Sequence, residues 1–201
     1  MKVIGLCGGS GSGKGTVCAM LCEHGIPTVD TDAVYRGLTA SYTDCLRELA
    51  SEFGERIISP DGSLDRSVLR ELVFSGDGAA ERLARLNEIS HRHILARTRQ
   101  MLGEYERAGF LAATVDAPVL YESGFDRECD IVIAVLADRE VRIERIIHRD
   151  GISREAAERR IDSQLSDEEL RRRADYVVVN DGNESVLRER IMSVAEEILN
   201  S

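Results

Sequence analysis

At 201 residues and 43% hydrophobic content, the chain is long enough to bury the core of one α/β domain carrying an insertion. A formal charge of −10 argues against general nucleic-acid binding, and an aromatic content of 4% disfavours a stacking platform for single strands. No apolar run approaches a membrane span, and the N-terminus passes directly into an apolar strand rather than a signal peptide.

The first element is a short apolar run, Val3–Cys7, read as a strand. It leads into Gly8-Gly-Ser-Gly-Ser-Gly-Lys-Gly-Thr16, and then into Val17-Cys-Ala-Met-Leu21, read as the opening of a helix. Strand, glycine-rich loop and helix in that order make a phosphate-binding loop. Gly9, Gly11, Ser12, Gly13, Lys14, Gly15 and Thr16 are its expected nucleotide contacts. Glycines let successive N–H groups turn inward to phosphate oxygens at the positive end of a helix dipole. Lys14 adds a mobile charge for the β- and γ-phosphates. The usual Ser or Thr after the lysine, a Mg²⁺ ligand, is replaced by Gly15, with Thr16 following, as in adenylate kinases. Either Thr16 supplies the hydroxyl or water takes its place.

Four more buried strands are expected at Pro27–Asp30, Leu111–Val115, Ile131–Leu136 and Tyr176–Val179, with helical stretches between most of them. This alternation predicts a doubly wound parallel sheet whose ligands sit at the carboxyl ends of the strands. Those ends carry the phosphate loop, Asp30 with Asp32, Asp116, Asp138 and Asn180. Residues 38–110 show no convincing strand. Tyr42, Leu46, Leu49 and Phe53 recur at helical spacing, Asp61-Gly62 marks a turn, and a longer helix carries Leu83, Leu86, Ile89 and Ile94. The last helix packs Leu187, Ile191, Val194 and Ile198 on the sheet.

Phosphoryl transfer needs in-line positioning, cations on the γ-phosphate and a carboxylate near the attacking hydroxyl. Asp32 either caps the second helix or acts on that hydroxyl. Asp116 either holds Mg²⁺ or serves as a turn carboxylate. Asp138 opens a helix that places Arg142, Arg145 and Arg149 on one face, and a second helix starts at Ser153. Such an arginine-rich pair suits a lid over phosphates, although the interleaved glutamates make most of these arginines solvated ion pairs. Arg171, Arg172 and Arg173 read as surface. His91 and His93 point different ways on a helix and make no metal pair. The five cysteines (7, 18, 22, 45 and 129) show neither disulfide framework nor metal spacing, and read as small hydrophobes in a reducing cytosol.

With these residues in view, the chain resembles the dephospho-coenzyme A kinases over nearly its whole length. The resemblance is carried by Gly8–Lys14, Gly25-Ile-Pro-Thr-Val-Asp-Thr-Asp32 with Arg36, Phe53-Gly54, Asp61-Gly-Ser-Leu-Asp-Arg66 with Leu69 and Phe74, Asp116-Ala-Pro-Val-Leu-Tyr-Glu122, Arg145, Arg149, Arg160, Gln164 and Ala174-Asp-Tyr-Val-Val-Val-Asn-Asp-Gly182. It implies a P-loop nucleotide kinase fold: a five-stranded parallel sheet flanked by helices, with a core at about 1–37, 110–137 and 174–201. A helical insertion at about 38–109 would embrace the CoA moiety, and a helical lid would span about 138–173.

It further implies ATP as co-substrate, Mg²⁺, and transfer to the ribose 3′-hydroxyl of dephospho-CoA, giving CoA and ADP. Asp32 would act at that hydroxyl, Lys14 and the loop amides would hold ATP, and Arg145 with Arg149 would reach the phosphates from the lid. Asn180 and Gly182 would lie near adenine, and Thr16 and Asp116 near the metal. A cytoplasmic monomer or small homo-oligomer is expected. The chain departs from the family pattern at Gly15 (usually Ser), at His91-Arg92 (usually His-Pro) and at Tyr35-Arg36 (usually Ala-Arg). The enzyme rival is a nucleoside monophosphate kinase, which Gly-Lys-Gly-Thr suggests but the Asp30–Asp32 pair disfavours, since carboxylates repel an acceptor phosphate. A guanine-nucleotide switch would need an Asn-Lys-x-Asp run, which the sequence lacks.

Overall fold

Five short strands are present in the computed structural model, which describes residues 1–200: β1 (Lys2–Cys7), β2 (Thr28–Asp30), β3 (Ala112–Asp116), β4 (Ile131–Leu136) and β5 (Tyr176–Val179). They form one sheet in the order β2-β3-β1-β4-β5. The pairs β1·β3, β1·β4 and β4·β5 are parallel, with Leu6 opposite Asp116, Cys7 opposite Ala134 and Val135 opposite Val178. The strand order reverses at β1, so the loop that follows β1 lies at the switch point of the sheet.

The chain divides into two compact units, Met1–Val29 with the chain from Leu102 onward, and Asp30–Met101. In the first, α1 (Lys14–Glu23) and α9 (Glu184–Asn200) pack on the sheet. Val17, Met20 and Leu21 of α1 meet Ile4, Leu6, Ile133, Val135 and Val178 of the strands, together with Leu187, Ile191, Ala195 and Ile198 of α9. Each fully buried aliphatic side chain there contributes about 1.5–3 kcal/mol of transfer free energy. Helices α6 (Arg139–Asp150), α7 (Arg154–Asp162) and α8 (Asp167–Arg173) lie between β4 and β5 in the chain, and Ile143, Ile146, Ala157 and Ile161 form a small core between α6 and α7.

The second unit holds α2 (Thr31–Leu38), α3 (Asp44–Phe53) and α4 (Arg66–Phe74), and most of α5 (Ala79–Arg107). Cys45, Leu46, Leu49, Ile57, Leu69, Val73 and Ile89 build its core.

Several sequence expectations need correction. β3 runs from Ala112 to Asp116, one residue later at each end than expected; Leu111 is 71% exposed and only its carbonyl meets β1, accepting from the Lys2 N–H at 2.9 Å. Tyr42 lies outside α3 and is half exposed. The Thr43 hydroxyl takes the cap, accepting from the Leu46 N–H, and so begins the helix after the tyrosine. Residues 38–110 hold no strand, as expected, and the Asp61-Gly62 turn is closed by an isolated antiparallel bridge, Ile58 to Leu64. On α9 Val194 packs against the core as expected but is only partly buried, and Ala195 joins Leu187, Ile191 and Ile198 as a fully buried residue. Asp32 is not the cap of α2: Asp30 is extended (φ −84°, ψ 110°) and its carboxylate accepts from the Ala33 N–H, leaving Asp32 exposed in the first turn.

Candidate active site

The phosphate loop leaves β1 at Cys7 and enters α1 at Lys14. Gly8, Gly11 and Gly13 have φ of +149°, +79° and +94°, a region that side chains rarely adopt. Space is refused as well. A Cβ at Gly8 would strike the Val135 carbonyl, one at Gly9 the Arg142 guanidinium, and one at Gly13 the Asn180 amide. Backbone therefore leaves no room for a side chain at Gly8, and packed polar side chains leave none at Gly9 and Gly13.

α1 differs from its neighbours at its N-terminus. α2, α3, α4, α6, α7 and α8 are each capped by a side chain, from Asp30, Thr43, Asp65, Asp138, Ser153 and Ser166, whereas Gly13 leaves α1 with no side-chain cap. The first turn of α1 thus presents its N–H groups and the positive end of the helix dipole, and has no acidic residue. Lys14 Nζ donates to the Gly8 carbonyl at 2.9 Å, arched back across the loop. An anion of phosphate type is what this arrangement can hold.

Side chains far away in sequence enclose the loop. Arg145 Nη1 donates to the Gly11 carbonyl at 3.1 Å, and Nη2 reaches the backbone carbonyl and Oδ1 of Asn180 at 3.4 and 3.5 Å. Asn180 is buried and its Nδ2 donates to the Ser12 carbonyl at 2.8 Å. Arg142, which the sequence does not distinguish from its neighbours on α6, is 4% exposed and donates from Nε to the Ser10 carbonyl at 2.9 Å. Burial lowers its pKa, opposed by its ion pair with Asp167 at 2.9 Å. Gln164 accepts from the Ser10 N–H at 2.8 Å. Of the arginine face expected on α6, two members touch the loop. Arg149, further along, turns to Asp150 in a two-pronged pair at 2.7 and 2.9 Å, and Arg160 joins the same carboxylate. Arg149 and Arg160 together hold Asp150 far below the usual carboxylate range. Arg173, read as surface, lies over the Tyr121 ring at 3.7 Å.

Gly182 sits in the turn after β5 with φ +110°. Thr16 and Gly15 are exposed in the first turn of α1, and a Cβ at Gly15 would meet nothing within 4 Å. Asp116 ends β3 beside Leu6 of β1 and accepts from the Cys18 thiol at 3.7 Å. Burial, then the Asp116 charge, pushes Cys18 up to about 12, so it stays a protonated donor. Among the described residues no group of three or more His, Cys, Asp or Glu is arranged as a metal cage. One hydroxyl and one carboxylate are instead the hard oxygen donors that fit a Mg²⁺ held mainly by phosphates and water. In the second unit, Asp32 stands in the first turn of α2, while Asp30 also pairs with Arg36 at 3.4 Å. His93 Nε2 meets Glu48 at 2.8 Å, and His93 and Arg92 lower the pKa of Glu48.

A family model described as dephospho-CoA kinase matches residues 2–185. A dephospho-CoA kinase of Symbiobacterium thermophilum is 42% identical over 183 residues, covering 91% of this chain and 75% of the relative. A crystal structure of a Thermus thermophilus protein superposes with TM-score 0.80 at 32% identity, covering 98% of this chain and 97% of the other. The dephospho-CoA kinase of Campylobacter jejuni does so with TM-score 0.72 at 25% identity, covering 100% and 98%. No helix among the described residues is long and apolar enough to cross a membrane. With a match over most of its length and a phosphate loop enclosed by its own arginines, the chain belongs to the dephospho-CoA kinase family.

Proposed function

We infer that this chain transfers the γ-phosphate of ATP to the ribose 3′-hydroxyl of dephospho-CoA, yielding CoA and ADP. The observation that carries the reading is the uncapped, glycine-built loop with Lys14 across it, in a chain of this family. The loop N–H groups from Gly11 to Thr16 bind the β- and γ-phosphates. Lys14 exchanges the Gly8 carbonyl for phosphate oxygens, and Arg145 adds a second cation from α6. Mg²⁺, when bound, spreads the charge of the transferring phosphate. Thr16, directly or through water, and Asp116 are the residues that would hold it. Asp32 accepts the proton of the 3′-hydroxyl or orients it for in-line attack. Its exposure in the first turn of α2, with the capping bond made by Asp30, supports a role outside helix stability.

In this reading, residues 38–109 embrace the CoA moiety, residues 138–173 close as a lid, and Asn180 to Gly182 lie beside adenine. Arg149 would exchange Asp150 for phosphate when the lid closes. Five free cysteines suit a reducing cytoplasm, where a monomer or small homo-oligomer would work.

Purified protein with ATP, Mg²⁺ and dephospho-CoA should form ADP and a product carrying a new 3′-phosphate, read by phosphorus NMR. Turnover of AMP or CMP without turnover of dephospho-CoA would sink the reading.

A further inference from the structure

Ser10 has three polar groups, and two distant side chains hold all of them. Gln164 Oε1 accepts from its N–H at 2.8 Å, and Gln164 Nε2 donates to its Oγ at 3.2 Å. Arg142 Nε donates to its carbonyl at 2.9 Å, and Arg142 Nη1 is anchored on Asp167 Oδ1 at 2.9 Å. Arg142 Nη2 is buried, has no acceptor among the described residues, and lies against Gly9 where a side chain would otherwise stand.

Stability does not account for this arrangement. A buried guanidinium carries a large desolvation penalty, and an unsatisfied buried donor adds to it. The compensating return is geometric. The planar fork spans the Ser10 carbonyl and Asp167 at once, which a lysine ammonium cannot do in one place. Gln164 holds the N–H of the Gly9–Ser10 peptide and Arg142 the carbonyl of the Ser10–Gly11 peptide, so neither plane turns freely and the direction of the Gly11 N–H is set in advance.

We propose that Arg142 is a positioning residue for ATP: oriented by Asp167 and acting with Gln164, it presets the Ser10–Gly11 peptide of the phosphate loop before nucleotide arrives. This rests on the loop being the ATP site.

The test is calorimetric titration of Mg²⁺–ATP into wild type, Arg142→Met, Arg142→Lys and Asp167→Asn. Thermal unfolding of each without nucleotide and steady-state kinetics accompany it. Wild type should bind ATP. Arg142→Met should unfold within about 2 °C of wild type or above it, since an apolar side chain of similar reach removes the buried charge. Its ATP affinity should fall about tenfold or more, with KM for ATP raised and KM for dephospho-CoA unchanged. Arg142→Lys should lose as much, and Asp167→Asn about threefold. Wild-type ATP affinity in both Arg142→Met and Asp167→Asn overturns the proposal, and so does full affinity in Arg142→Lys, which would leave only a charge effect. If Arg142→Met fails to fold, the half-exposed Asp167→Asn still decides, an unchanged affinity overturning the proposal. A wild type that binds no ATP overturns the reading of the loop itself, and this role with it.

Discussion

Asn180 donates its side-chain Nδ2 to the Ser12 carbonyl at 2.8 Å, joining two positions 168 residues apart beneath the phosphate loop. Both residues are buried, and the same amide blocks any side chain at Gly13. β5 thereby supports the loop from the far side of β4, and the backbone path from Gly11 to Gly13 rests on this amide together with Arg145, which donates to the Gly11 carbonyl at 3.1 Å.

Asn180→Ala should therefore cost about 1–3 kcal/mol, the penalty for a buried carbonyl left unpaired. Asn180→Asp should be worse at neutral pH, because a carboxylate would face the carbonyl without a proton to share. Thermal unfolding measures the loss, and KM for ATP should rise in both. A fully stable Asn180→Asp would show that the amide does not carry the loop.

Two glycines of the loop should behave in opposite ways. Gly9→Ala would press a Cβ into the Arg142 guanidinium, so ATP affinity should fall about a hundredfold through displacement of the loop. Gly15→Ser meets open space on the first turn of a helix and should stabilise by about 0.5 kcal/mol. If position 15 lies at the metal, Gly15→Ser should also lower the Mg²⁺ concentration that gives half-maximal activity. Unfolding curves and a Mg²⁺ titration check both halves, and a destabilised Gly15→Ser would contradict the open environment.

Asp30 and Asp32 separate capping from chemistry. Asp30→Ala removes the bond to the Ala33 N–H and should destabilise α2 by about 1 kcal/mol. Asp32→Asn makes no change to that cap and should leave the unfolding midpoint within about 1 °C while lowering kcat about a hundredfold or more. Equal kcat with a lowered midpoint in Asp32→Asn would return that residue to a structural role.

The thiols give a pH dependence with a definite sign. Burial pushes Cys7 and Cys45 up to about 11 and Cys18 and Cys129 up to about 12, from an ordinary thiol value near 9.0. The folded state thus holds these protons more tightly than the unfolded state. Their contribution is fully present below about pH 9 and is lost as pH rises through 11 and 12. Denaturant midpoints should decline over that alkaline window and not between pH 7 and 8. At pH 8 a thiol reagent should modify the exposed Cys22 quickly and the other four only at the rate of unfolding. Rapid labelling of Cys18 would contradict its protonated, half-buried contact with Asp116.

Much of the core was legible because it rests on local pattern. Apolar runs bounded by polar residues located all five strands, two of them (Ile131–Leu136 and Tyr176–Val179) to the residue. Asp138 and Ser153 were readable as caps because a short oxygen-bearing side chain ahead of a helical period has few other uses. For α2, capping stood as one of two readings of Asp32, and the structure gives the cap to Asp30. Capping follows whichever residue is extended, and Val29-Asp-Thr-Asp offers two carboxylates with identical chemistry. On α6 the period correctly put Arg142, Arg145 and Arg149 on one face. It had no means of sorting them, because their fates depend on height along the helix relative to a loop 130 residues earlier.

By itself, the sequence determined that the chain binds a nucleotide phosphate, on which sheet, and in which family the rest of its motifs lie. Those conclusions follow from backbone needs that are local: glycines where the chain must bend, a lysine beside them, apolar runs that must be buried. Only the tertiary structure decided which arginine grips Ser10, that Asn180 supports the loop, and that Asp30 rather than Asp32 closes the helix. The first two are hydrogen bonds between groups more than 100 positions apart, whose distances are set by the packed sheet and helices and encoded by no spacing along the chain; the third is local, and depends on which of two like carboxylates the end of β2 leaves extended.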